Sequence, residues 1–150
     1  MKKLNECGFD GVKRWARKIN IFDFDLILVP IHLPDHWTLA VIFIKKRAIH
    51  YYDSLGGSDR ACLETLRNYV YLYAKTRQSI PQPEEILNWK LKQHRAKIPQ
   101  QVNYYDCGVF VCRFSYILSR GLKINTHSFD SRSMVVEYRL ALKEQILTKQ

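Results

Sequence analysis

Cys107 is the residue of this chain whose type and position best suit chemistry, because a helix is predicted to begin at it. Apolar side chains recur at helical spacing from Val111 to Leu118, and Gly121 is a typical helix end. The unpaired amides and positive dipole end in the first turn of a helix favour a thiolate over a thiol. A thiolate can attack a carbonyl carbon, so Cys107 is a predicted nucleophile.

The residues next to Cys107 set the alternatives. Asp106 precedes it and is a preferred N-cap residue type. Free cysteine is among the most often buried residue types, so Cys107 taken alone would be interpreted as a small core residue. Cys112 lies inside the same predicted helix with no special amide or charge environment, and we interpret it as core packing.

A base for the thiol is predicted at His36. Residues 26–33, 37–44 and 48–52 have the composition of three strands, and the charged turn 45–47 makes the last two a hairpin. Antiparallel pairing then places His36, at the start of one strand, beside Asp53, at the end of its neighbour. A carboxylate fixes the tautomer of an imidazole base. The alternative is that the two never meet, and for His32 and His50 we prefer a structural interpretation.

Gln101 is a candidate oxyanion donor. It lies shortly before Cys107, in a segment that Pro99 keeps extended. Its amide could donate to a developing oxyanion together with the backbone N–H of Cys107, a contribution of about 3 kcal/mol in comparable sites. A surface glutamine is the ordinary alternative, and the position relative to Cys107 favours the functional interpretation.

Four motifs together resemble the ubiquitin-like-protein proteases, and within them the sentrin/SUMO-specific proteases. They occur in the same order as in that family: His36-Trp37, Tyr52-Asp53-Ser54, Pro99-Gln100-Gln101 and Asp106-Cys107-Gly108. The resemblance implies an α+β fold, with a papain-like core, a central mixed or antiparallel sheet flanked by helices, and the nucleophile at a helix N-terminus.

The resemblance also implies roles for five residues. The family pattern makes His36 the general base, Asp53 its orienting carboxylate, Gln101 an oxyanion donor and Cys107 the nucleophile. Trp37 would help roof a narrow channel that admits the Gly-Gly tail of the modifier. Residues without a β-carbon can pass under an indole where larger ones would clash.

The chain departs from the family pattern in two places. Family domains usually begin with an upstream helical segment, and nothing here matches it, so residues 1–150 are expected to form a single, N-terminally shortened catalytic domain. SUMO proteases also often have Gly-Ser where this chain has Tyr104-Tyr105. Since bulky residues disfavour positive φ, the loop before the nucleophile is expected to be altered.

Composition limits the other functions. A chain of 150 residues with 47% hydrophobic content can bury one core. Its four cysteines show no paired metal spacing, and neither a signal-like run nor a membrane-length apolar stretch is present. We therefore expect an intracellular protein, nuclear or cytoplasmic, that is a monomer, uses no cofactor or metal and does not bind membranes.

The net charge of +10 could indicate nucleic-acid binding. The basic residues are spread along the chain instead of forming one stripe, so most of them are interpreted as solvated faces and a nucleic-acid partner is not expected. The remaining elements predicted are a short helix over 12–19, a longer one after Asp59, a strand over 87–92 and a closing helix from about Ser133.

Three functions follow from these observations. The first is a cysteine protease or isopeptidase that cleaves after the C-terminal Gly-Gly of SUMO or a related modifier, either to remove it or to process its precursor. The alternative is a truncated module that binds the modifier but turns over poorly or not at all. The third, a basic nucleic-acid binder, predicts steeply salt-dependent affinity.

Overall fold

The computed structural model describes residues 8–12, 14–95, 97–125 and 132–148. Residues 8–12 are helical, and short 3-10 helices occupy Ile21–Asp23 and Pro83–Asn88. The strands are β1 (Leu26–Leu33), β2 (His36–Phe43), β3 (Ala48–Tyr52) and β4 (Lys90–His94). The longer helices are α1 (Arg60–Arg77), α2 (Cys107–Ser119) and α3 (Arg132–Leu147).

The four strands form one mixed sheet in the order β1-β2-β3-β4. The first three are antiparallel neighbours, and β4 pairs parallel to β3. The register pairs Leu39 with Tyr52, so the start of β2 and the end of β3 lie at the same edge of the sheet. The predicted hairpin and the predicted mixed sheet flanked by helices are both confirmed.

Two cores cover the two faces of the sheet, because successive residues of a strand point to opposite sides. Ala40 and Ile42 belong to the core formed with α1, where Tyr73 and Val70 are fully buried. Leu39 and Val41 belong to the core formed with α2 and the start of α3. Members of this second core include Phe110, Phe114 and Val135. The helix that begins at Cys107 is therefore fixed against β2 by apolar burial.

The structure corrects three expectations about local structure. β4 begins at Lys90 because Pro83, which suits the first turn of a helix, opens a 3-10 helix that takes up Leu87. The predicted helix over 12–19 is instead a helical segment ending at residue 12 followed by turns from residue 14. Cys112 does not pack in the core, because it faces solvent on the outer side of α2.

No helix among the described residues is long and apolar enough to span a bilayer.

Two histidines on adjacent strands, His50 and His94, contact each other, which agrees with the structural role expected for His50. His50 Nδ1 lies 3.2 Å from His94 Nε2 and 3.2 Å from the Tyr52 hydroxyl, and the rings of Tyr52 and His94 stack at 4.5 Å. Burial first, and then the charges of His94, Lys92 and Lys46, lower the pKa of His50 to about 4. Burial, followed by the nearby Lys92 and Lys97, lowers the pKa of His94 to about 4 as well.

Lowering the pH from 7 towards 4 should therefore destabilise the fold. The unfolded chain protonates both imidazoles near pH 6.5, while the folded rings stay neutral to about pH 4, so unfolding takes up protons in this window. The stabilisation is complete above about pH 6.5 and is lost as the pH falls. Because both rings are half-buried, roughly 1–3 kcal/mol of the free energy of unfolding is at stake.

Urea denaturation at pH 7 and at pH 4.5 measures this difference. His94→Gln should flatten the pH dependence, because it removes one of the two rings. His32→Gln is the matched control, since His32 stacks on Trp37 away from this pair and should leave the dependence unchanged. An unaltered pH dependence in His94→Gln would contradict the assignment.

Candidate active site

His36 and Asp53 meet at the shared edge of β2 and β3, as the strand pairing predicts. His36 Nε2 lies 2.7 Å from Asp53 Oδ1, and both side chains are largely buried. An ionised carboxylate only accepts hydrogen bonds, so Nε2 carries the proton and Nδ1 of the neutral ring carries the lone pair. Among the described residues Nδ1 has no hydrogen-bond partner, so it is the basic nitrogen of His36 that remains available.

The turn after β3 holds Asp53 in place. The backbone N–H of Leu55 donates to Asp53 Oδ1 at 2.8 Å, and the N–H of Gly56 donates to the Asp53 carbonyl at 3.0 Å. Gly57 lies against the second carboxylate oxygen so closely that a β-carbon there would overlap it. Glycine is therefore required at residue 57 by the approach of the carboxylate.

Gln101 is buried, and both ends of its amide are fixed. The Ser54 hydroxyl donates to Gln101 Oε1 at 2.5 Å, and Gln101 Nε2 donates to the Asn103 carbonyl at 2.6 Å. The backbone N–H of Gln101 also donates to the Ser54 carbonyl at 2.9 Å. These contacts assign the amide orientation, and within the described ranges they leave one N–H of Nε2 without a partner.

Cys107 is the first residue of α2 and is 7% exposed, as predicted for a thiol at a helix N-terminus. Within the described part of the chain, its sulfur makes no hydrogen bond with the His36 ring, so the structure joins His36 to Asp53 but not to the thiol. In proteases without substrate, catalytic hydrogen bonds are often long and tighten when the substrate binds.

Trp37 follows His36 and remains 40% exposed, while its ring packs against that of His32 at a tilt of 33°, with the ring centroids 4.5 Å apart. The indole is therefore held by a neighbouring ring and remains partly open to solvent. Tyr104 and Tyr105 are also exposed, and neither has a positive φ. The loop before Cys107 therefore carries both tyrosines without a left-handed backbone conformation, and its expected alteration relative to the family stays a prediction.

The side chains at this edge of the sheet suit acyl transfer. His36 offers a base with a fixed tautomer, Gln101 an oriented amide donor and Cys107 a thiol at the positive end of a helix. No three potential metal ligands cluster in the ranges that the structure describes.

Three residues at this site were not identified from the sequence. Ser54 orients Gln101, Asn103 accepts from Gln101 through its carbonyl, and Arg139 binds Asp106 from the distant helix α3. Ser54 could have been found, because it adjoins Asp53 in the Tyr52-Asp53-Ser54 motif. Arg139 could not have been identified from the sequence, since a single arginine on an amphipathic helix cannot be told from any solvent-exposed charge.

Comparison with known protein families decides the class. The profile of the "Ulp1 protease family, C-terminal catalytic domain" matches residues 1–149. The chain belongs to the Ulp1 protease family. Its sequence is 39% identical over 121 residues to sentrin-specific protease 2 of Pongo abelii, and 38% identical over 145 residues to a sentrin-specific protease of Caenorhabditis elegans.

These relatives are much longer than this Ulp1-family chain. The matches cover 79% and 95% of this chain but 20% and 19% of the two relatives. The chain thus spans about a fifth of the length of the curated relatives it matches.

Solved structures of the family share the fold. One is SUMO protease Ulp1 with its catalytic cysteine oxidised to a sulfenic acid, at a TM-score of 0.80 and 30% identity, covering 99% of this chain and 65% of that one. Another is the C-terminal Ulp1 protease domain in complex with Smt3, the yeast orthologue of SUMO, at a TM-score of 0.74 and 32% identity, covering 92% and 60%. The expected SUMO-protease type of α+β fold is confirmed.

Proposed function

We propose that this chain is a cysteine-type isopeptidase that cleaves after the C-terminal Gly-Gly of SUMO or a related ubiquitin-like modifier. The observation that carries the proposal is the 2.7 Å contact between His36 and Asp53, in a Ulp1-family chain whose Cys107 opens a helix packed on the same strand. The Ulp1 domain solved with Smt3 supports the choice of substrate class.

In the proposed reaction, His36 Nδ1 takes the proton of the Cys107 thiol, and the sulfur attacks the carbonyl carbon of the modifier's last glycine. The oxyanion accepts hydrogen bonds from the backbone N–H of Cys107 and the free N–H of Gln101. The protonated His36 then donates to the departing lysine amine as the C–N bond breaks. The product is a thioester between the modifier and Cys107.

Water completes the cycle. His36 Nδ1 removes a proton from the attacking water, the second tetrahedral intermediate uses the same oxyanion donors, and the thiolate leaves. Asp53 holds the His36 tautomer and stabilises the imidazolium through both steps. Because this sequence also hydrolyses a precursor peptide bond, it fits both deconjugation and maturation.

Trp37 is assigned to substrate binding. Its partly exposed indole packs against His32 and follows His36 in β2, which supports a contact with the modifier tail in the proposed reaction. A tail that ends in two glycines lacks the β-carbons that would collide with a ring above it. This assignment explains why cleavage would be confined to Gly-Gly tails.

A panel of modifier conjugates tests the proposal. The chain, incubated with lysine conjugates of SUMO, ubiquitin and another ubiquitin-like modifier, should release SUMO or one related modifier at least about 100-fold faster than ubiquitin, since specificity arises from many small contacts. Gel analysis of the released modifier measures this. Release of none, with reversible binding of one modifier, would establish a binding module and overturn the proposal.

We also propose the domain organisation, oligomeric state and cellular compartment of the protein. Residues 1–150 act as a single catalytic domain, and the chain works as a monomer inside the cell, in the nucleus or cytoplasm, within the ubiquitin-like conjugation pathway. The membership in the Ulp1 family and the need of a thiol nucleophile for a reducing compartment support this placement.

A further inference from the structure

Asp106 does not cap helix α2, although its type and position predict a cap. It is the N-cap residue, but its side chain accepts no hydrogen bond from the first turn. Its φ of −93° and ψ of −2° are near-helical, whereas a capping residue usually has an extended backbone. The carboxylate of this buried residue is therefore directed away from the helix amides.

Arg139 on α3 receives that carboxylate. Arg139 Nε donates to Asp106 Oδ1 at 3.0 Å, and a terminal guanidinium nitrogen donates to the same oxygen. The same nitrogen donates to the Tyr105 carbonyl at 3.2 Å. The Asp106 side chain is 8% exposed and that of Arg139 is 45% exposed, so the acid is buried and the base closes over it.

Asn103 completes the arrangement and links it to Gln101. Asn103 Nδ2 donates to Asp106 Oδ2 at 2.6 Å, and Asn103 Oδ1 accepts from the backbone N–H groups of Tyr105 and Asp106. The Asn103 carbonyl accepts from the Gln101 amide. Both proposed oxyanion donors, the Gln101 side chain and the Cys107 amide, therefore belong to a loop that Arg139 fixes from α3.

The diverted carboxylate leaves the helix N-terminus open. Among the described residues, the backbone N–H groups of Cys107 and Gly108 have no hydrogen-bond partner. A capping Asp106 carboxylate would accept from the amide of Gly108 or Val109, the second and third residues of α2, and place a negative charge beside the sulfur. Like charges disfavour each other's ionised forms, so such a charge would lower the thiolate fraction of Cys107.

We propose that Arg139 is a positioning residue that holds the Asp106 carboxylate off the first turn of α2. It thereby keeps the Cys107 sulfur free of a neighbouring negative charge and fixes the loop that carries the two oxyanion donors. This inference rests on the proposed function for its catalytic consequence. Its effect on the thiol can be measured without any protease substrate.

Arg139→Ala tests the inference through two readouts. The alkylation rate of Cys107 by iodoacetamide at pH 7, located by mass spectrometry, should fall about tenfold and its pH profile should move to higher pH, as one nearby like charge implies. The kcat for modifier release should fall roughly 10- to 100-fold, because one oxyanion donor is lost or misplaced. KM should stay within about twofold, since Arg139 does not touch the substrate.

A second variant separates positioning from folding. Adding Asp106→Asn to Arg139→Ala removes the carboxylate charge. The double variant should recover most of the alkylation rate that Arg139→Ala loses, with both variants measured well below their melting temperatures. Lys143→Ala, an exposed charge on the same helix, should change neither readout.

Two results would overturn the inference: an unchanged alkylation profile in Arg139→Ala, or no recovery in the double variant. If the wild-type chain releases no modifier but Arg139→Ala still shows the alkylation shift, the proposed function fails and the positioning role stands.

Discussion

Cys107→Ala should abolish modifier release, with a fall in kcat of roughly 10⁵-fold or more, because the variant has no thiol at the start of α2 to form the thioester. Binding of the modifier should persist, since the 7%-exposed side chain contributes little contact area and alanine fits the first turn of α2. A modifier carrying a C-terminal electrophile should form a covalent adduct with the wild-type chain and none with the variant. Mass spectrometry of the adduct and a binding assay with unmodified modifier measure the two effects.

Cys112→Ala is the matched control. Cys112 lies on the same helix and is exposed, so by access alone it is the thiol more open to reagents. It lies beyond the first turn, where the amides are paired within the helix and no longer favour a thiolate. The control should retain full adduct formation. An adduct on Cys112, or one that survives in Cys107→Ala, would remove Cys107 from its proposed role.

His36→Gln should reduce kcat roughly 10³- to 10⁴-fold, which is the second-largest effect expected. The glutamine amide can still hydrogen-bond to Asp53, so the turn after β3 should keep its geometry. It cannot accept the thiol proton or return it to the lysine amine. Single-turnover kinetics should show slow thioester formation, with KM close to that of the wild type.

His50→Gln controls for the loss of a histidine in the same sheet. The partners of His50 are Tyr52 and His94 instead of a carboxylate. The His50→Gln variant should therefore have a lower free energy of unfolding but an unchanged kcat. An equal loss of kcat in both variants would mean that kcat depends on the integrity of the sheet and not on a base at residue 36. A His36→Gln enzyme with near wild-type kcat would require another base.

The features that depend on local residue composition and on strand pairing could be predicted from the sequence. Apolar, strand-favouring composition located β1 and β3 at their observed bounds, and a short charged turn implied the hairpin. Antiparallel pairing then brings His36 to Asp53 with little choice, because the short turn between β2 and β3 fixes the register of the hairpin. That contact was therefore predictable before any coordinates.

The features that escaped prediction depend on contacts between distant segments. Asp106 was expected to cap α2, but a guanidinium 33 positions away in sequence competes for its carboxylate. The capping preference of aspartate predicts a side-chain cap, but the tertiary contact with Arg139 takes the carboxylate instead. The same holds for Cys112, since the nearby apolar residues Val111 and Phe114 did not reveal which face of α2 the second core leaves uncovered.

The contact between Gly57 and the Asp53 carboxylate limits how this domain can be engineered. Exchanging glycine for alanine commonly stabilises proteins by reducing the conformational freedom of the unfolded chain. At residue 57 the added methyl group would displace the acid that holds His36, so greater rigidity would come at the expense of turnover. The loop keeps a flexible residue because the carboxylate occupies the space that a side chain would need.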